Sequence, residues 1–140
     1  MSDKFLLDTH AFIYSFDRNA ASKARKATQL IRKALFTQKS IISYQVVQEF
    51  FNVALQKFSQ PMTVADAGQY LGAVFRPLLG IHSSQALDAE ALHLQAKSRR
   101  SWTDSLIVSA AIQARCDFLY TEDLQHGQRF GNLQVANLFL

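Results

Sequence analysis

Short, wholly apolar runs alternate with longer stretches of helical period along this chain. Phe5-Leu6-Leu7 ends at Asp8, the pattern of a strand buried on both faces. Ser40-Ile41-Ile42, Leu78 to Ile81, Phe118-Leu119-Tyr120 and Leu133 to Leu138 are further strand candidates. Between the first two, helix-compatible sequence begins near His10, and Ala20 to Leu35 sets Leu30, Ile31 and Ala34 among Lys, Arg and Gln. Ser43 offers an N-cap oxygen for a helix to about Phe58. Val64 to Phe75 predicts another helix, stopped by Pro77, and Ser83 or Ser84 caps one that runs to about Ser98. The clearest helix is Asp104 to Arg115, where Leu106, Ile107, Ala110, Ala111 and Ala114 follow the 3.6-residue period. Strands alternating with helices predict an α/β fold with a central, mainly parallel sheet.

Composition narrows the class. With 140 residues, 49% of them hydrophobic, the chain is expected to form one domain, residues 1–140, with a real core, and its bulk is not disordered. No run approaches the roughly 18 apolar residues of a membrane span, and Met1-Ser2-Asp3-Lys4-Phe5 lacks the order of a signal peptide. A cytoplasmic protein with no membrane partner is expected. The one cysteine, Cys116, excludes an intramolecular disulfide framework and a cysteine-cluster zinc site, and its place at a helix end suits a small buried residue. The net charge of +4 is mild.

Eleven acids are few enough to be judged one by one. Asp8 closes the first strand, and Asp123 follows the Phe118–Tyr120 strand by a few residues. Asp104 opens the most apolar helix. Glu49 lies about 60° around its helix from Val46, at the border of the apolar face, where a carboxylate is costly unless paired. Each also has a plain structural reading: a cap for Asp8, a first-turn acid for Asp104, an edge carboxylate for Glu49 and a turn residue for Asp123. Open parallel sheets, however, bind ligands beyond the carboxyl ends of their strands. If the four converge there, they repel one another and require protons or a cation. An all-oxygen ligand set favours a hard ion, Mg²⁺ or Mn²⁺. Held by carboxylates, such an ion is suited to phosphodiester cleavage.

These residues resemble the PIN domain, specifically the VapC-like toxins of bacterial toxin–antitoxin pairs. Phe5-Leu6-Leu7-Asp8-Thr9 is similar to the family's opening strand with its first aspartate. Ser43-Tyr44-Gln45-Val46-Val47-Gln48-Glu49-Phe50-Phe51-Asn52 is similar to its acid-bearing helix. Trp102-Thr103-Asp104-Ser105-Leu106-Ile107-Val108 resembles the third acidic motif, and Leu119-Tyr120-Thr121-Glu122-Asp123-Leu124-Gln125-His126-Gly127 the fourth. The resemblance implies a PIN-like, Rossmann-like three-layer domain and a Mg²⁺-dependent endoribonuclease. It implies Asp8, Glu49, Asp104 and Asp123 as catalytic acids, with Asp8, Asp104 and Asp123 as metal ligands and Glu49 orienting or deprotonating water. It further implies a homodimer and a cognate antitoxin covering the pocket. Two departures stand out: His10 occupies a position where many members have Asn, and Thr103 separates Trp102 from Asp104. Glu122 is an alternative to Asp123, but adjacent residues usually point apart.

A nuclease also needs cations near its acids, because phosphate contacts supply most nonspecific affinity. Lys97, Arg99 and Arg100, just before Asp104, are the expected RNA-binding group; Lys23, Arg25, Lys26, Arg32 and Lys33 read as a solvated helix face. His10, His82, His93 and His126 show no metal-binding spacing, although His10 and His126 stand near Asp8 and Asp123 in sequence. There is no P-loop and no GxSxG elbow. A catalytically inactive PIN-like module that engages an antitoxin or another protein is the alternative function. A phosphatase with Asp8 as nucleophile is set aside, because His10 stands where that chemistry needs a second Asp.

Overall fold

Three apolar side chains in a row leave no polar face, so β1 (Phe5–Leu7) must lie inside a sheet, and all three are buried. In the computed structural model, which describes residues 3–140, β1 is flanked by parallel partners on both sides. They are β2 (Ser40–Ser43) and β4 (Phe118–Tyr120), with Leu6 opposite Ile41 and Leu119. β3 (Leu79–Ile81) extends the sheet beyond β2, and β6 (Leu133–Ala136) extends it beyond β4, again in parallel. A two-residue strand, β5 (Arg129–Phe130), pairs antiparallel with β6 at the edge and was not legible in the sequence. The order across the sheet is β3-β2-β1-β4-β6-β5. Met1 and Ser2, at the head of the N-terminal segment read above, lie outside the described residues.

This is an α/β fold with a mostly parallel sheet covered by helices. α1 (Thr9–Tyr14) and α2 (Ala21–Thr37) pack together after β1, and α3 (Tyr44–Ala54) leaves β2 to pack on α1. Ser43 takes the N-cap position of α3, yet its Oγ makes no capping bond, contrary to expectation. The helix expected to run from Val64 to Phe75 and stop at Pro77 is instead composite. α4 (Val64–Tyr70) passes into a π-helical turn, Leu71–Phe75, and then into α5 (Arg76–Leu78), which contains Pro77. Proline has no N–H and its ring collides with the carbonyl four residues back, and a widened turn accommodates both effects without ending the helix. The turn delivers Phe75 into an aromatic cluster, with ring centroids 5.0 Å from Phe12, 5.2 Å from Phe50 and 5.1 Å from Tyr70.

α6 (Gln85–Lys97), capped by the Ser84 side chain, packs against α7 (Trp102–Gln113). α7 starts two residues before Asp104, because Ser101 Oγ accepts from the Asp104 N–H at 3.0 Å and caps the helix there. Its buried set is wider than the apolar period predicts and includes Ser105 and Ser109. Their hydroxyls donate to Gln95 Oε1 at 2.7 Å and to the Leu87 carbonyl at 2.8 Å, so these small polar residues satisfy themselves against α6. No helix of the described residues is long and apolar enough to cross a membrane.

Candidate active site

From the central β1 the chain first builds one side of the sheet, β2 and β3, and later the other, β4 and β6. Between β1 and β4 the strand order therefore reverses, and such a switch point leaves a crevice at the carboxyl ends of the strands. Asp8 follows β1 and Asp123 follows β4, so the two acids enter this crevice from adjacent strands. The strand ends are tied by the Asp8 N–H, which donates to the Tyr120 carbonyl at 3.1 Å. Glu49 reaches the crevice from α3 and Asp104 from the first turn of α7. Gln45 Nε2 donates to the Thr103 carbonyl at 3.1 Å and joins the starts of those two helices. All four acids line one cavity of about 150 Å³, together with Thr9, His10, Gln45 and Thr103.

Asp8 is the deepest of the four, only 6% exposed. Its Oδ1 accepts from the Thr9 N–H at 2.7 Å, so it caps α1, and its Oδ2 accepts from Thr121 Oγ1 at 2.7 Å. The capping of α1 by Asp8 is thus observed, and it leaves the carboxylate lining the acidic cavity. Burial pushes its carboxyl up to about 6 despite these hydrogen bonds, with the neighbouring Asp123 carboxylate adding a smaller upward push. A buried acid held at the edge of ionisation is one that a cation would stabilise.

Two threonines that the sequence reading left without a role organise the site. Thr9 donates from Oγ1 to Glu49 Oε1 at 2.8 Å while its N–H holds Asp8, so it couples the first and second acids. Thr121, 1% exposed, donates to Asp8 and accepts from the Asp123 N–H at 3.2 Å, coupling the first and fourth. Glu122, the alternative to Asp123, turns away to an ion pair with Lys23 Nζ at 3.5 Å, and the Lys23 ammonium also lies over the rings of Tyr14 and Phe139.

His10 enters the site more directly than its sequence position implied. Its Nδ1 is 3.3 Å from Asp123 Oδ2 and 4.0 Å from Asp8 Oδ2. One ligand atom from each of Asp8, His10 and Asp123 can be chosen so that all lie within 4.8 Å of one another. That spacing, with a buried carboxylate at its centre, fits a single divalent ion. Asp104 lines the same cavity but stands outside this tighter group. The expected cations are placed differently from the sequence reading. Lys97 and Arg99 are exposed, and Arg100 donates to the Leu94 carbonyl and to Ser98 Oγ while covering the Phe130 ring; none of the three lines the acidic cavity. Arg18 and Lys57 instead line a second cavity of about 750 Å³, which shares Ile13 and Val53 with the acidic one. Nothing in the linear sequence marks these two, because they come from separate segments after α1 and after α3.

Among curated proteins no match to the sequence is found. Solved structures of similar fold include VapC20 of Mycobacterium tuberculosis, a sarcin–ricin loop cleaving toxin. It is 16% identical, with a TM-score of 0.58 over 86% of this chain and 90% of that one. Another is VapBC2 of Rickettsia felis, bound to a DNA fragment from its promoter, 19% identical, with a TM-score of 0.61 over 95% and 97%. The PIN domain profile matches residues 5–129, which span every acid of the cavity, and the chain belongs to the PIN domain family, a family of nucleases.

Proposed function

We propose that this protein is a Mg²⁺-dependent endoribonuclease and the toxin of a toxin–antitoxin pair, with Asp8, Glu49, Asp104 and Asp123 as its working acids. The observation that carries the reading is the convergence of four carboxylates from four separate elements on one small cavity, at the sheet's switch point. Asp8, Asp123 and Asp104 would hold Mg²⁺ or Mn²⁺. When bound, the ion acidifies water and neutralises charge on the scissile phosphate. Glu49, fixed by Thr9, takes the proton of the attacking water as it adds to phosphorus and the P–O bond to the leaving group breaks. Thr121 keeps Asp8 and Asp123 in mutual register during this step. Arg18 and Lys57 line the adjoining cavity, where the flanking strand's phosphates are proposed to lie.

RNA as substrate draws support from the VapC20 fold relative, described as cleaving the sarcin–ricin loop, and an antitoxin partner from VapBC2. A homodimer and a cytoplasmic location belong to the same proposal. The test is cleavage of a labelled pool of structured RNA by the purified chain, with and without Mg²⁺ or Mn²⁺, beside Asp8→Ala, Asp104→Ala and Glu49→Gln. The expected result is metal-dependent cleavage that Asp8→Ala and Asp104→Ala abolish and Glu49→Gln slows by about 10²- to 10⁴-fold. Absence of cleavage in a preparation free of antitoxin, with no metal binding, would leave the inactive partner-binding module as the better reading.

A further inference from the structure

We propose that His10 supplies a nitrogen ligand to the metal site, so that the site discriminates in favour of Mn²⁺ over Mg²⁺. The inference rests on the metal-dependent reading above. Nδ1 of His10 is buried and has no hydrogen-bond partner among the described residues, although the ring as a whole is 38% exposed. Its 3.3 Å approach to Asp123 Oδ2 is short enough for a hydrogen bond but is not aligned as one. A buried, unsatisfied nitrogen normally costs stability and calls for a partner. The space that Nδ1 faces is shared with carboxylate oxygens of Asp8 and Asp123.

The separations fit ligation. In an octahedral shell with bonds near 2.1 Å, adjacent ligands stand about 3.0 Å apart and opposite ones about 4.2 Å. The observed 3.3 Å and 4.0 Å fall close to those two values. Ligation through Nδ1 leaves the ring proton on Nε2 and satisfies the orphaned nitrogen. Imidazole is a poor ligand for Mg²⁺ and a better one for first-row transition ions. A nitrogen among oxygens therefore raises affinity for Mn²⁺ more than for Mg²⁺. The identity of residue 10, set at the start of α1 by the Asp8 cap, becomes the determinant of metal preference.

The experiment measures the metals alone on the full chain. Pulsed electron paramagnetic resonance of Mn²⁺ bound to the wild type is expected to show coupling to an imidazole ¹⁴N. His10→Asn, which offers an oxygen in place of the nitrogen, is expected to lose that coupling. Calorimetric titration of both proteins gives the ratio of Mn²⁺ to Mg²⁺ affinity. Mn²⁺ affinity is expected to fall at least about tenfold in His10→Asn, since loss of even an outer partner of a metal ligand costs ten- to a hundredfold, and Mg²⁺ affinity is expected to fall less, so that the ratio drops. Mn²⁺ bound to the wild type without ¹⁴N coupling, or an unchanged ratio in the variant, overturns the role of His10 and leaves the nuclease reading standing. If the wild type binds neither ion, both fall together.

Discussion

Replacing Asp8 with Asn should stabilise the metal-free protein at neutral pH, even though it removes the central acid of the site. Burial holds the Asp8 carboxyl at about 6 against an ordinary 3.8. At about 1.4 kcal/mol per pH unit, ionising it inside the fold costs about 3 kcal/mol. The folded chain keeps its proton between pH 3.8 and 6, whereas the unfolded chain has already released it. This group's contribution is therefore fully present below pH 3.8 and is lost as pH rises through 6. In Asp8→Asn the side-chain oxygen still accepts from the Thr9 N–H, but the amide nitrogen cannot accept from Thr121 Oγ1, a loss of about 1 kcal/mol. The net gain above pH 6 is about 2 kcal/mol, or a rise in Tm of about 6 °C for a chain of this length. Thermal unfolding in EDTA, at steps from about pH 4.5 to 7.5, measures it as a difference between variant and wild type that grows with pH. Saturating Mg²⁺ or Mn²⁺ should reverse the order, because only the wild type then gains binding energy, about 2.7 kcal/mol at a hundred times Kd. A variant that melts at or below the wild type across the whole range in EDTA would refute the argument that the buried charge is a net cost.

Other perturbations separate the parts of the structure. Thr121→Val removes the donor to Asp8 and the acceptor of the Asp123 N–H. It should cost about 1–3 kcal/mol in urea unfolding and push the Asp8 carboxyl further up. Phe75→Ala empties the centre of the aromatic cluster and should cost about 3–5 kcal/mol by the same assay, without changing metal affinity in the fraction that remains folded. Burial pushes the Cys116 thiol up to about 12. Its reaction with a disulfide reagent at about pH 8 should therefore be slow in the native protein and fast in denaturant; equal rates would contradict its burial.

Much of this architecture could be read locally. The triplet Phe5-Leu6-Leu7 has no polar face to offer water, so its burial within a parallel sheet follows from composition alone, whereas in Phe118-Leu119-Tyr120 only Leu119 is fully buried. The helix start at Ser84 followed from a short polar residue placed before an apolar period, because capping is a contact between near neighbours in the chain, whereas the Ser101 cap that starts α7 two residues before Asp104 was not singled out. The error around Pro77 arose because proline forbids one hydrogen bond but does not dictate whether the helix ends or widens. The packing of Phe75 into the core accompanies the second outcome. β5, two residues long, carries no period to detect and exists through its pairing with β6.

The acids were legible as ordered motifs, and their places at strand ends and helix starts already suggested that they meet, but the contacts through which they meet were not legible. Asp8 and Asp123 are separated by most of the chain and become neighbours because the strand order reverses between β1 and β4. Thr9 and Thr121 had no role assigned by the sequence, and the fold aims their hydroxyls at Glu49 and Asp8. His10 was marked in the sequence by standing near Asp8, and Arg18 and Lys57 were not marked at all. Sequence by itself determined most of the strands and helices and which acids were available, since those properties depend on side chains a few residues apart. Tertiary structure alone decided which of them share a cavity and how strongly Asp8 resists ionisation, since both depend on distance through space and on exclusion of water.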